Sequence, residues 1–254
     1  MIRSFCPNLS VVGVGLGFLL STACSSGGGS NANPGTAGTS GTAGSGGSGT
    51  GTGGTAGTGA GGTGGMVVVT PEGTLFMDDF ESGAAKWNVT QGTCSIQADS
   101  AADGGTSNGT NVFECVNGGN EARALAGDVG WGEYSVQASV KVNAMDPGRR
   151  IHLAARFMDS NNWYGAAIYN GSPYEVQVRK KVAGTSSEVA RVTYPITLGA
   201  WYTLKLEVKG STIRLYVNDT LQIETTDTSF ASGQIALLVD RSDVSWDNIQ
   251  VTNP

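Results

Sequence analysis

The residues of this sequence best suited to proton transfer are a histidine and two arginines that lie on the same face of one predicted strand. His152, the one histidine of the chain, has the same parity as Arg150 and Arg156 in a stretch whose alternate residues are apolar. An arginine that offsets the charge of a substrate carboxylate acidifies the C–H next to that carboxylate. An imidazole or a phenol then takes the proton. If the protein is an enzyme, we assign this catalysis to these three residues and Tyr164. A solvated polar strand face is the alternative interpretation of the same pattern.

Aromatic and amide side chains follow a few residues later. Trp163, Tyr169 and Tyr174 lie close together in the sequence, next to Asn162. Aromatic rings stack on the apolar C–H faces of sugars while amides hydrogen-bond the hydroxyls, which suits a shallow binding site. Trp163 and Tyr169 share one strand parity and are the pair that we expect to contact a sugar. Burial in the core or at a sheet edge is the ordinary role of any one of these rings.

Both groups of residues lie in a region of strand-like alternation. Apolar residues repeat with a period of two from Tyr134 to Val142, from Ile151 to Phe157 and from Tyr202 to Val208, and turn residues separate these runs. Such a period means that each strand buries one face and exposes the other. Many short strands without a long helical pattern predict an all-β domain, a two-sheet antiparallel β-sandwich of the jelly-roll type.

Several motifs between Leu75 and Val251 indicate a family. They are Phe76–Glu81 with Trp87, Arg156–Gly165, Gly199–Leu206, Ile213–Asp219, and Gly233–Ala236 with Trp246–Ile249. Together they resemble the concanavalin-A-like, laminin-G-like jelly rolls of secreted bacterial proteins, among them lectin-like modules and domains described as 3-keto-disaccharide hydrolases. The resemblance implies the fold and leaves the activity open, since this sandwich hosts many functions.

The resemblance extends to enzymes that act on polysaccharides. Arg150–His152 resembles the Gln-Ile-His motif of alginate-lyase-like enzymes, and Glu121–Arg123 resembles part of their Arg-x-Glu-x-Arg strand, with Gly119 in place of its first arginine. A polysaccharide lyase is therefore one alternative and a glycosidase another. The sequence contains no Glu-x-Asp-x-x-Glu run, which supplies the paired carboxylates of laminarinase-type glycosidases.

The same resemblance implies a structural calcium ion, which similar modules hold near their termini. Asp78 and Asp79 belong to the first strand and Asp247 to the last, and these strands pair in this type of fold. Ca²⁺ takes roughly six to eight oxygen ligands, so carboxylates and carbonyls from both strands would suit it. Ordinary turn and strand-end aspartates are the alternative.

Two cysteines of the domain are predicted to form a disulfide. Cys94 and Cys115 lie on neighbouring predicted strands around a loop rich in Asp, Gly, Ser and Asn. In an exported protein such a pair is typical of a disulfide that closes a hairpin. A metal site would need further cysteines or histidines nearby.

The N-terminal quarter of the chain differs in composition from the rest. Residues 1–23 have one basic residue and a short apolar run, which predicts an export signal. The segment that ends at Cys24 resembles the bacterial lipoprotein box, and this implies lipidation of that cysteine. Residues 24–65 contain no charge and nearly half of the 40 glycines, which predicts a flexible spacer. The folded domain is then 66–254, and we expect an exported protein anchored to a bacterial membrane, at the outer membrane or cell surface.

The charge of the chain limits the classes of molecule that it is expected to bind. The net charge of the chain is −6 and its longest basic run is Arg179–Lys181, whereas nucleic-acid binders present a broad basic face. We therefore expect no nucleic acid, membrane contact through the lipid anchor alone, and a monomer. The function that we predict is non-catalytic binding of a glycan or polysaccharide, with an enzyme as the first alternative and adhesion to a surface protein as the second.

Overall fold

The computed structural model describes residues 73–99, 109–116, 119 and 121–254, and this part of the chain consists of strands and their connections. The predicted export signal, Cys24, the spacer and the first residues of the predicted domain lie outside the described residues. No helix in the described part is long and apolar enough to cross a membrane.

The strands follow one another through the described residues without a helix between them. In chain order they are β1 (Thr74–Asp78), β2 (Asn88–Gln91), β3 (Thr93–Ala98), β4 (Asn111–Val116), β5 (Glu121–Ala126), β6 (Tyr134–Met145), β7 (Arg150–Asp159), β8 (Asn162–Tyr169), β9 (Glu175–Val182), β10 (Thr185–Thr193), β11 (Trp201–Lys209), β12 (Thr212–Val217), β13 (Thr220–Thr226), β14 (Gln234–Asp240) and β15 (Ser242–Thr252).

These strands form two antiparallel sheets. The eight-stranded sheet has the order β13-β12-β11-β6-β15-β4-β3, with β1 paired to the end of β15, and the seven-stranded sheet has the order β10-β9-β8-β7-β14-β5-β2. Neighbours in space are often far apart in sequence, as in β6 beside β15 and β7 beside β14. This is the jelly-roll sandwich that the alternation and the family resemblance predict, and the prediction is confirmed.

The two sheets differ in how their outer faces are covered. In β6, β11 and β12 buried residues alternate with partly exposed ones, so that one face of each strand packs into the core. The central strands β7, β8 and β14 are instead buried on nearly every residue. Because the sandwich core covers only one of their faces, side chains of the sheet itself must cover the other. That second, outer face is where the candidate site lies.

The predicted disulfide joins two strands at the edge of the eight-stranded sheet. Cys94 of β3 lies directly opposite Cys115 of β4, with their Cα atoms 4.1 Å apart. The bond closes a loop with a sequence separation of 21 residues. Loop-closure entropy gives it a contribution of about 3 kcal/mol to the free energy of unfolding.

Candidate functional site

A depression on the outer face of the seven-stranded sheet brings together charged, polar and aromatic side chains. Its volume is about 280 Å³. Strands β5, β7, β8, β9, β10 and β14 all contribute to it. The lining residues are Glu121, Arg150, His152, Trp163, Arg179, Lys181, Ser186 and Asp240.

The strand register explains why these residues meet. His152 of β7 lies opposite Ala167 of β8, which lies opposite Gln177 of β9. One step along the same face Gly165 lies opposite Arg179, and a further step places Trp163 opposite Lys181. Because alternate residues of a strand share a face, side chains of β7, β8 and β9 that are separated by up to about thirty positions in sequence form one surface.

A glycine leaves room for the two rings at the centre of this surface. A Cβ atom at Gly165 would lie 3.2 Å from the Cβ and Cδ2 atoms of His152 and 3.3 Å from the ring of Trp163. Both distances are shorter than ordinary van der Waals contact. The imidazole and the indole therefore pack edge to face, with ring centres 5.0 Å apart.

His152 is a neutral histidine in a cationic environment. Its side chain is largely buried, with 8% of the residue exposed, and Nε2 has no hydrogen-bond partner among the described residues. Burial lowers the pKa of His152 to about 3, and the positive charges of Arg179, Arg150 and Lys181 act in the same direction. The imidazole is thus uncharged over the physiological pH range.

The two arginines beside the histidine share one neutral acceptor. Arg150 Nε and Arg179 Nη1 each donate to Gln177 Oε1 at 3.1 Å. Arg150 also stacks on the ring of Tyr169, with its Cζ atom 4.0 Å from the ring centre, and Arg179 Nη2 donates to Ser186 Oγ. Arg179 Nε is buried without a partner among the described residues. Burial and the charge of Arg150 both lower the pKa of Arg179.

The two carboxylates of the depression are held by arginines that do not line it. Glu121 accepts a hydrogen bond from Arg123 Nε at 3.0 Å, and Asp240 lies 3.4 Å from Arg149 Nη1. The cationic groups of the depression therefore remain available to a ligand.

The structure brings together four of the predicted site residues, namely Arg150, His152, Trp163 and Tyr169. All four belong to the outer face of the seven-stranded sheet, through β7 and β8. The lining residues of β9 and β10 were missed because nothing in the sequence gives the register between β8 and β9. The alternation of Gln177, Arg179 and Lys181 is the one signal that could have indicated them.

Arg156 does not lie on this face, contrary to the prediction. The pairing of β7 with β8 shifts between Ala155 and Asp159, and Arg156 has a positive φ of 46°. This irregularity turns the side chain away from the outer face of the sheet, so the alternation of faces along the strand does not hold at Arg156. Its guanidinium, in a residue that is 2% exposed, donates instead to three backbone carbonyls, those of Gly132, Gly210 and Phe230.

Three further predicted residues have other positions in the fold. Tyr164 points into the sandwich, where its hydroxyl donates to Asp227 at 2.6 Å, and burial raises its pKa to about 12. Tyr174 packs against the core. Asn162 is the first residue of β8: its Nδ2 donates to Asp159, and its Oδ1 accepts a hydrogen bond from the amide of Ala183.

Trp163 lies at the expected place but offers little surface. It is 3% exposed and packs in a small cluster with Ala154, Phe157, Ala236 and Leu238 on the outer face of the sheet. A sugar ring therefore cannot stack on its face in this structure, and truncating it would leave a cavity. The role that the structure indicates for Trp163 is to support the floor of the depression and the imidazole.

The predicted calcium ligands are engaged in other interactions. Asp78 accepts hydrogen bonds from Trp87 Nε1 at 2.9 Å and from the amide of Phe80, and it pairs with Lys86. Asp79 accepts from the amide of Glu81, and Asp247 from that of Asn248. No group of three potential metal-ligating side chains occurs among the described residues. All three carboxylates are thus engaged with neighbouring groups of the protein, and calcium stays a prediction.

Comparisons with known proteins agree with the fold. A family model described as a 3-keto-alpha-glucoside-1,2-lyase-like domain matches residues 78–252. The carbohydrate-binding module CBM66 from Bacillus subtilis is similar in structure, with 22% identity, a TM-score of 0.54, and coverage of 66% of this chain and 96% of the module.

Two further solved structures share the architecture at lower identity. Domain 4 of AbnA, an extracellular arabinanase from Geobacillus stearothermophilus in complex with arabinotriose, has 14% identity and a TM-score of 0.51 over 71% of this chain and 92% of that domain. The Bacillus licheniformis beta-glucanase has 14% identity and a TM-score of 0.50 over 73% of this chain and all of its own. No curated protein matches the sequence.

Proposed function

Since the chain belongs to the family of 3-keto-alpha-glucoside-1,2-lyase-like domains, we propose that its jelly-roll domain binds a carbohydrate in the depression on the outer face of the seven-stranded sheet. The observation that supports this most strongly is that two buried polar atoms at the depression, His152 Nε2 and Arg179 Nε, have no hydrogen-bond partner among the described residues. Buried polar groups are normally hydrogen-bonded, and a bound sugar offers hydroxyl groups of both donor and acceptor character.

The rest of the depression suits a sugar as well. Arg150, Lys181 and Ser186 supply further hydrogen-bonding groups at its wall, and Trp163 belongs to its floor. Small sites of this kind orient a ligand with a few polar groups on an apolar floor. Two proteins of the same fold fit this proposal, since one is a carbohydrate-binding module and another was solved with arabinotriose.

A lyase is the second candidate, favoured by a neutral imidazole whose Nε2 has no partner among the described residues and which lies beside two arginines. A neutral imidazole is the form that accepts a proton, and the guanidinium groups would offset the negative charge that develops. However, the pKa of about 3 makes His152 a weak base, whereas general bases work best with a pKa near the operating pH. The geometry therefore supports binding better than catalysis.

Electrophoresis of the full chain in native gels cast with different polysaccharides tests the binding function. We expect retardation in at least one gel with the polymer left intact. Arg179→Gln removes charge-assisted hydrogen bonds, so we expect at least about a tenfold loss of affinity. Lys205→Gln, on the outer face of the other sheet, is the matched control and keeps the affinity.

Two other results would overturn the proposal. A cleared zone around the band would show cleavage of the polymer, and loss of that zone in His152→Ala would identify the lyase. Normal migration in every gel would favour adhesion to a protein. Circular dichroism of each variant shows whether its fold is retained.

We also propose that the chain is exported and anchored by a lipid on Cys24, with 24–65 as the spacer between a bacterial membrane and the domain. The lipoprotein-like segment and the uncharged, glycine-rich composition support this. The full chain expressed in a bacterium should incorporate labelled palmitate and sediment with membranes. Cys24→Ser should lose the label and leave the membrane fraction. A label that persists in this variant would contradict lipidation at Cys24.

A further inference from the structure

We propose that the carbohydrate bound in this depression carries an oxyanion, a carboxylate or a sulfate ester, which is held by Arg150, Arg179 and Lys181. The proposal rests on the carbohydrate-binding function and names the class of sugar.

Charge on the outer face of the seven-stranded sheet is unevenly paired. Four carboxylates in and around the depression pair with three arginines that do not line it: Glu121 pairs with Arg123, Asp240 with Arg149, and both Glu175 and Glu188 with Arg191. Arg150, Arg179 and Lys181 form no salt bridge with any described residue. Glu188 is within electrostatic range of Arg179, but its salt bridge is to Arg191. The depression therefore holds a local excess of positive charge.

The two guanidinium groups converge although they repel each other. Arg150 and Arg179 donate to the same oxygen of Gln177, a neutral amide that cancels no charge. The amide is itself fixed, because Gln177 Nε2 donates to Glu175 at 2.6 Å. Like charges at close range cost free energy, and an anion between them would recover it.

Unused hydrogen-bonding capacity points to the same kind of ligand. Arg179 Nε is buried and has no hydrogen-bond partner in the part of the chain that the structure describes, and Lys181 lies at the strand position opposite Trp163. Carboxylates and sulfates accept several hydrogen bonds in the geometry that arginine presents, and lysine adds a point charge. His152 lines the same depression, and its buried Nε2 has no hydrogen-bond partner among the described residues.

The charge of the whole chain works against unspecific binding of polyanions. The net charge is −6, so a polyanion is repelled by the protein as a whole and is attracted only locally. Affinity for an anionic sugar would therefore identify this depression and not a general basic surface.

The experiment compares matched charged and neutral polymers with the full chain. Polygalacturonate is paired with its carboxyl-reduced form, and dextran sulfate with dextran. We expect one charged polymer to bind at least about tenfold more tightly than its neutral partner, with affinity that falls as salt rises. A preference for polygalacturonate assigns the carboxylate, and a preference for dextran sulfate assigns the sulfate.

Variants locate the oxyanion in the depression. Lys181→Gln should lower affinity for the preferred charged polymer several-fold more than affinity for its neutral partner, and it should reduce the salt dependence of binding. Lys205→Gln should change neither. Equal binding of charged and neutral polymers would overturn the oxyanion and leave the proposed function intact. Failure to bind any polysaccharide in the native gels would overturn both.

Discussion

Replacing Arg156 by methionine is expected to lower the free energy of unfolding by about 3–5 kcal/mol, the largest effect that we predict for a single substitution. The guanidinium donates to the carbonyls of Gly132, Gly210 and Phe230, which belong to three separate connections of the chain. Methionine keeps much of the apolar volume and removes all three hydrogen bonds. The carbonyls would then be left without these donors, and buried polar groups without partners are costly.

Urea unfolding followed by tryptophan fluorescence measures this effect. Arg214→Met is the matched control because Arg214 forms ion pairs with Glu207 and Glu224 on a partly exposed sheet face. Such pairs contribute about 1 kcal/mol or less. A loss of the same size in both variants would contradict the structural role of Arg156. Binding to polysaccharide by folded Arg156→Met should be unchanged, since the residue lies outside the depression.

The pH dependence of stability should reveal His152 as a histidine that stays neutral in the folded protein. Its folded pKa of about 3 lies below the ordinary value of 6.5, so on acidification the unfolded chain takes up the proton first. Stability is therefore complete above pH 6.5 and is lost as the pH falls toward 3. Between pH 7 and pH 4 the loss from this residue is at most about 3 kcal/mol.

The comparison with His152→Gln isolates this contribution. His152 is the chain's one histidine, and carboxylates titrate alike in both proteins. Free energies of unfolding measured in urea at pH 7, 5.5 and 4 should therefore fall more steeply for the wild type. Arg150, Arg179 and Lys181 face the imidazole together with Glu121 and Asp240, and the cations oppose its protonation. Parallel curves for the two proteins would show that the imidazole is protonated in the folded state as easily as in water.

The sequence predicts the sandwich and the disulfide well because both follow from local patterns. Period-two alternation determines which residues of a strand face inward, and Arg150 and His152 share a face for that reason. Arg156 breaks the rule because a positive φ and a register shift interrupt the strand at that point. A local irregularity of this kind has no signature in the hydrophobic pattern.

The rest of the site depends on which strands become neighbours. Arg179 and Lys181 meet His152 only through the register of β8 with β9, which alternation within a single strand leaves undetermined. Trp163 illustrates a second limit. Trp163 lies on the predicted face of its strand. It is buried there because it packs in a cluster that includes the small residues Ala154 and Ala236.

The pairing of β1 with β15 places the two ends of the folded domain side by side. Thr74 lies opposite Thr252, and the amide of Asn253 donates to the carbonyl of Gly73 at 3.0 Å. A linker of a few residues could join these ends, so the domain is suited to circular permutation, with new termini opened in a turn remote from the depression. Both ends of this strand pair belong to the eight-stranded sheet, whereas the depression lies on the outer face of the other sheet.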